Sequence, residues 1–169
     1  MFNLIISLFR KLFKPQEEGP VGKILQKTPR GVRNNNPGNI RLSRDKWKGL
    51  SEEQTDTSFF QFVAPEWGIR AMMRVLINYQ VKHNLWTIQG IINRWAPPVE
   101  NETFSYVQHV CNKLDVEFDE HVDLTDPHIL VGLCKAIIIH ENGRPKVAGI
   151  PEAWYTHEVF EKALKLTVK

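Results

Sequence analysis

Ala136-Ile137-Ile138-Ile139-His140-Glu141-Asn142-Gly143-Arg144-Pro145 is the stretch on which the reading of this chain turns. Ile137 and Ile138 stand four and three positions before Glu141, Cys134 stands seven before it and Leu130 eleven. At helical spacing these positions share a face, so Glu141 continues an apolar stripe. Gly143 can supply a left-handed cap, and Pro145 prevents the helix from resuming. A carboxylate at the negative end of a helix, among apolar neighbours, is disfavoured in its ionised form. Such a group is suited to give a proton to a substrate as a general acid. The competing reading is a slightly shorter helix, with Glu141 in water beside the cap.

Upstream of this stretch the helical pattern continues. Asp126 is placed to cap the helix, with Pro127 in its first turn. Before it lies an acidic loop, Val116 to Thr125, and a helix from Phe104 to Leu114 that Thr103 can cap. Thr87 caps a short helix from Ile88 to Trp95, stopped by Pro97 and Pro98. Pro65 opens a helix from Glu66 to His83, with Trp67, Ala71, Val75 and Leu76 among its buried candidates. Downstream, a last helix runs from about Thr156 to Leu166. Two segments are strand-like: Asn39 to Leu42, and Ser58 to Val63 with Phe60 and Phe62 on one side. They predict a small β-lobe, and Asp56 stands just before its second strand. The polar run Arg30 to Arg41, with three consecutive asparagines, a proline and a glycine, is a tight turn structure.

The 169 residues suffice for one domain with a real core. At 42% hydrophobic and 24% charged, the composition is globular. A net charge of +3 suits an anionic polymer. No element concentrates that charge, which disfavours nucleic acid as the partner. Cys111 and Cys134 lie in helical patterns, outside any metal-type pair, and are expected to be buried free thiols. There is no glycine-rich phosphate loop or His-Glu-x-x-His, so neither cofactor nor metal is implied. Residues 1–14 are apolar and then basic, too short to span a bilayer as a helix. They fit either an interfacial helix on a membrane surface or a tail packed on the domain. With the Pro- and Gly-rich linker that follows, they form an N-terminal region of residues 1–29, ahead of a folded domain of residues 30–169.

Two pieces of the sequence carry a resemblance. The run Arg-Gly-Val-Arg-Asn-Asn-Asn-Pro-Gly-Asn-Ile-Arg at 30–41, followed by Trp47, Gly49, Asp56, Phe59, Phe62, Gly68, Ile69, Arg70, Ala71 and Tyr79, resembles a family of phage and prophage proteins. Its members are often labelled structural or virion proteins, and some look like peptidoglycan-degrading enzymes. The helix ending Ile-His-Glu-Asn-Gly-Arg-Pro resembles the catalytic helix end of lysozyme-like lytic transglycosylases and glucosaminidases. There the acid is a Glu followed by Ser, whereas here Asn142 follows. In autolysin-type glucosaminidases the catalytic helix precedes the block that resembles 35–71; here it follows. A circularly permuted lysozyme-like fold would reconcile the order.

The resemblance implies a mainly α (α+β) fold, a lysozyme-like helical domain with a small β-hairpin lobe, and glycoside cleavage with Glu141 as the acid. Asp56 is the candidate second carboxylate, positioning water or stabilising charge; the competing and favoured reading is that it caps the turn into its strand. If no second carboxylate is needed, Glu141 acts first as acid and then as base. The sugar's 6-hydroxyl then closes an anhydro ring. The sequence does not choose between these routes. Asn39 is the asparagine carried as a cleft residue, while Asn34, Asn35 and Asn36 are expected to hold their own turn. Among the aromatics, Trp67 and Trp95 sit on apolar helical faces, so Trp47 and Tyr106 are the candidates for stacking on sugars. Arg144 could bind a muramyl or peptide carboxylate, or be a solvated helix-end charge. His140 should point away from the Glu141 face. The expected partner is the peptidoglycan glycan strand, at the cell wall or in a virion. The alternative function is a non-catalytic virion structural or wall-binding protein.

Overall fold

The computed structural model describes residues 28–97 and 102–168, so the expectations for residues 1–14 and for most of the linker lie outside the described residues. The chain is mainly helical. In order come α1 (Arg30–Arg33), α2 (Pro65–His83), α3 (Ile88–Trp95), α4 (Glu102–Leu114), α5 (Pro127–Asn142) and α6 (His157–Thr167).

Helix α5 is central because it is apolar on more than one face. Leu130, Leu133, Cys134 and the run Ala136 to Ile139 are all buried. It therefore needs neighbours on several sides, and it touches α1, α2 and α4. Asp126 caps it by accepting from the His128 amide, with Pro127 in the first turn. Gly143 follows it with φ +68, a conformation that glycine adopts without strain. Helix α2 buries Ile69, Met72, Met73 and Leu76 in the same core and packs along α6. Arg70, itself buried, donates from Nε to the Leu166 carbonyl at 3.0 Å. One of the unpaired carbonyls at the end of α6 is thereby satisfied. The acidic loop is held from α2 as well. Gln80 donates to the Val122 carbonyl and accepts from the Leu124 amide.

Thr87 caps α3 as expected, its hydroxyl accepting from the Gly90 amide. Helix α4 begins before Thr103, whose hydroxyl donates to the Ala96 carbonyl instead of capping. Both cysteines are buried free thiols.

The expected β-hairpin is where the fold departs from the sequence reading. Residues 40–62 hold only two isolated antiparallel bridges, Arg41 with Phe59 and Leu50 with Phe62. The segment 58–63 divides its backbone among three partners, one of them the Asn34 carbonyl, which accepts from the Phe62 amide. Phe60 N–H reaches the Ile40 carbonyl, and Ser58 accepts from the Leu42 amide. Further along, Gln61 accepts from the Ser51 amide and Val63 donates to Gly49. None of these pairings runs long enough to form a ladder. Phe60 and Phe62 do bury together, with Ala71, in a second small core flanked by Trp47, Leu50 and Trp67.

Candidate functional site

Glu141 stands on the last turn of α5, half-buried, at the wall of an open groove of about 410 Å³. Asn39 Nδ2 donates to its Oε2 at 3.0 Å, and Trp95 Nε1 donates to its Oε1 at 3.4 Å. The rest of the groove brings together distant parts of the chain. The loop Gly38 to Arg41 and Phe59 come from the small lobe, Val75 and Tyr79 from α2, and Trp95 to Pro97 from the end of α3. Three aromatic rings, one amide, one guanidinium and one carboxylate thus share a concave surface.

The asparagine-rich run explains how the helix end is presented. Asn36, fully buried, donates to the Ile40 and Phe60 carbonyls and accepts from the Ile40 amide. Asn35 (φ +50) donates to the Phe62 carbonyl. Asn34 donates to Asp56. Three of the four amides therefore tie the loop to the segment 56–62, a structural role that reaches beyond the turn they were expected to hold. Asn39, in the left-handed region at φ +48, is the one that turns towards Glu141. Asn142, where the lysozyme-like pattern has Ser, donates to the carbonyls of Ile138 and Pro37. That pins the end of α5 to the loop carrying Asn39, a reach a serine hydroxyl does not have.

Other expected site residues are placed elsewhere. Asp56 does not line the groove. Its side chain is 8% exposed and is clamped by Arg30, with Nε and Nη2 each 2.6 Å from a carboxylate oxygen. It also accepts from Asn34 and from the amides of Ser58 and Phe59. The Arg30 contact first, then the other donors, holds its carboxyl well below the usual carboxylate range. Asp56 caps the turn and organises the lobe, and its oxygens are not available as a second catalytic group. Tyr106 is 2% exposed and belongs to the main core, stacked on His140 with ring centroids 3.4 Å apart. Burial, and then the charge of Glu141, pushes its hydroxyl far up from its ordinary value. It cannot offer a face to a sugar. Trp47 packs on the second small core, away from the groove lining. Arg144 is exposed and paired with Glu152 at 2.8 Å. Trp154 (φ +68) donates to the Gly143 carbonyl, closing the turn after α5.

The sequence reading passed over Trp95, Phe59 and Arg41. Trp95 packs partly on the main core from its apolar helical face, and it also lines the groove. The signal that it belongs to a cleft is its place as the last residue of α3, where a helix face runs out into open space. Phe59 carries two guanidiniums, with Arg30 Cζ at 4.7 Å and Arg41 Cζ at 5.3 Å from its ring centroid. Tyr79 likewise lies under Arg94, 5.1 Å away. Among the described residues no group of three metal-type ligands comes together, and no helix is long and apolar enough to cross a membrane.

No family model matches the sequence. Over 123 residues it is 41% identical to Protein P5 of Pseudoalteromonas phage PM2, a match spanning 70% of this chain and 74% of the relative.

Proposed function

The chain belongs to the same family as that phage protein; from the geometry of the groove, and not from that kinship, we propose that it binds the peptidoglycan glycan strand in the groove and cleaves it with Glu141 as general acid. The reading includes action at the bacterial cell wall, from a virion or an infected cell, and a permuted lysozyme-like relationship. The observation that carries it is the Glu141 carboxyl group, held by Asn39 and Trp95 beside three aromatic rings in an open groove. Aromatic faces and a few fixed polar groups are what a saccharide site needs.

Glu141 gives its proton to the glycosidic oxygen as the bond from that oxygen to the anomeric carbon breaks. Among the described residues no second carboxylate lines the groove. That supports the route in which the Glu141 carboxylate next takes the proton of the sugar's own 6-hydroxyl. That oxygen then bonds to the anomeric carbon, leaving an anhydro sugar.

A second reading, a non-catalytic virion structural or wall-binding protein, is the one the kinship to a phage protein supports better, and the geometry adds an observation in its favour. Both Glu141 oxygens already accept from the protein itself, so the carboxylate also serves as a tie between α5, the Asn39 loop and α3. Digestion of purified peptidoglycan, with products weighed by mass spectrometry, separates the two. Soluble muropeptides from wild type, reduced roughly hundredfold or more in Glu141→Gln, support the enzyme. Products lighter by one water identify the anhydro route, and a reducing end identifies hydrolysis. Retention on cell walls with no product from folded wild-type protein selects the binding reading.

A further inference from the structure

We propose that Arg41 is the specificity residue of the groove, selecting a glycan strand that carries a carboxylate over a neutral one. The inference rests on the saccharide reading of the groove and adds to it which saccharide is taken. Among the described residues lining the groove, Arg41 is the one cation, and Glu141 is the acid. A carboxylate on the strand is attracted by Arg41, which sets where along the groove it sits.

Phe59 shows which guanidinium can do this. Arg30 and Arg41 both lie against its ring. Arg30 spends its donors on Asp56, through Nε and Nη2. Arg41 is exposed and makes no ion pair with any described residue. The Phe59 ring, 5.3 Å from Cζ, holds the exposed guanidinium at the groove wall, and a guanidinium's N–H groups suit two-point recognition of a carboxylate. Arg144, the residue the sequence suggested for this task, is already paired with Glu152. The neighbouring cation Arg94 leans on Tyr79 and on the His83 ring nitrogen.

The strand has two sources of a carboxylate: the lactyl ether of a muramic residue freed of its peptide, and the stem peptide of an intact strand. Equilibrium binding in the cold, followed by tryptophan fluorescence, can distinguish them. The probes are chitin oligomers, which are neutral, denuded glycan strands with free lactyl carboxylates, and strands bearing stem peptides. Wild type should bind at least one acidic strand about tenfold tighter than chitin oligomers, and Arg41→Gln should remove that preference by weakening the acidic strand about tenfold more than chitin oligomers. Whichever acidic strand shows the preference identifies the source. Equal affinity for all three probes overturns the proposal and leaves the groove reading intact. So does an Arg41→Gln loss that is the same for neutral and acidic strands. Failure of folded wild type to bind any of the three removes the groove reading and this inference together.

Discussion

A methyl group at position 31 would stand 2.6 Å from Asn142 Oδ1, 2.7 Å from Asn39 Oδ1 and 2.9 Å from the Asn36 carbonyl. The two side-chain oxygens are buried and accept no hydrogen bond from the described residues, so they close on the bare Cα of Gly31. The same two asparagines hold Glu141 and the end of α5. Gly31 thus sets the distance between the loop and the helix by having no side chain. Gly31→Ala forces both amides outward and is expected to cost about 1–3 kcal/mol by overpacking. Cleavage of peptidoglycan should fall further than the lost stability explains, because Asn39 moves with Gly31. The comparison is made at a temperature where circular dichroism shows the variant folded. Full activity per folded molecule would mean that Asn39 does not need this placement.

At the level of the elements, the helices were legible because their signals are local. Pro65, the Thr87 to Gly90 contact and the Asp126-Pro127 pair each act within one turn of the helix they start. The β-lobe was not legible, because its order comes from side chains that period-two patterning does not record. The Asn36 side chain bonds the Ile40 and Phe60 carbonyls beside the single backbone bond between those residues, and Gln61 Oε1 accepts from the amides of Thr55 and Asp56. Glu141 could be found from the helix that carries it, whereas its partners Asn39 and Trp95 lie 102 and 46 positions away. Asp56 is the electrostatic centre of the lobe, and its role sets a sign for pH. Its folded pKa lies below its unfolded value, so its contribution is complete above the unfolded carboxylate pKa, about 4, and is lost as pH falls below that. The melting-temperature gap between wild type and Asp56→Asn should be widest near neutrality and narrow as the medium is acidified below about pH 4. A gap that stays constant through that range would show that the carboxylate charge is not what holds Arg30 and Asn34.

For the whole molecule, the groove is the place where the small lobe and the helical body meet. Ile40 packs on both apolar clusters, so the two parts share a boundary of side chains. Glu141, Asn39 and Trp95 join α5, the loop and α3 across it. A shared boundary predicts that lobe and body unfold in one transition, and that a strand bound in the groove stabilises both. A ligand that binds only the native state at about a hundred times its Kd adds about 2.7 kcal/mol. For a chain of this size that corresponds to a rise in melting temperature of roughly 5–11 °C. Scanning calorimetry with a bound glycan oligomer should therefore show a single peak moved upward as a unit. Glu141→Gln keeps the groove's aromatic walls and should keep most of that shift even where it abolishes cleavage, which separates holding the strand from cutting it. Two peaks, with only one of them moved by the oligomer, would mean that the lobe melts independently of the helices. The hydrogen bonds to Glu141 would then be too weak to couple the two parts, and a strand would be gripped by one wall of the groove alone.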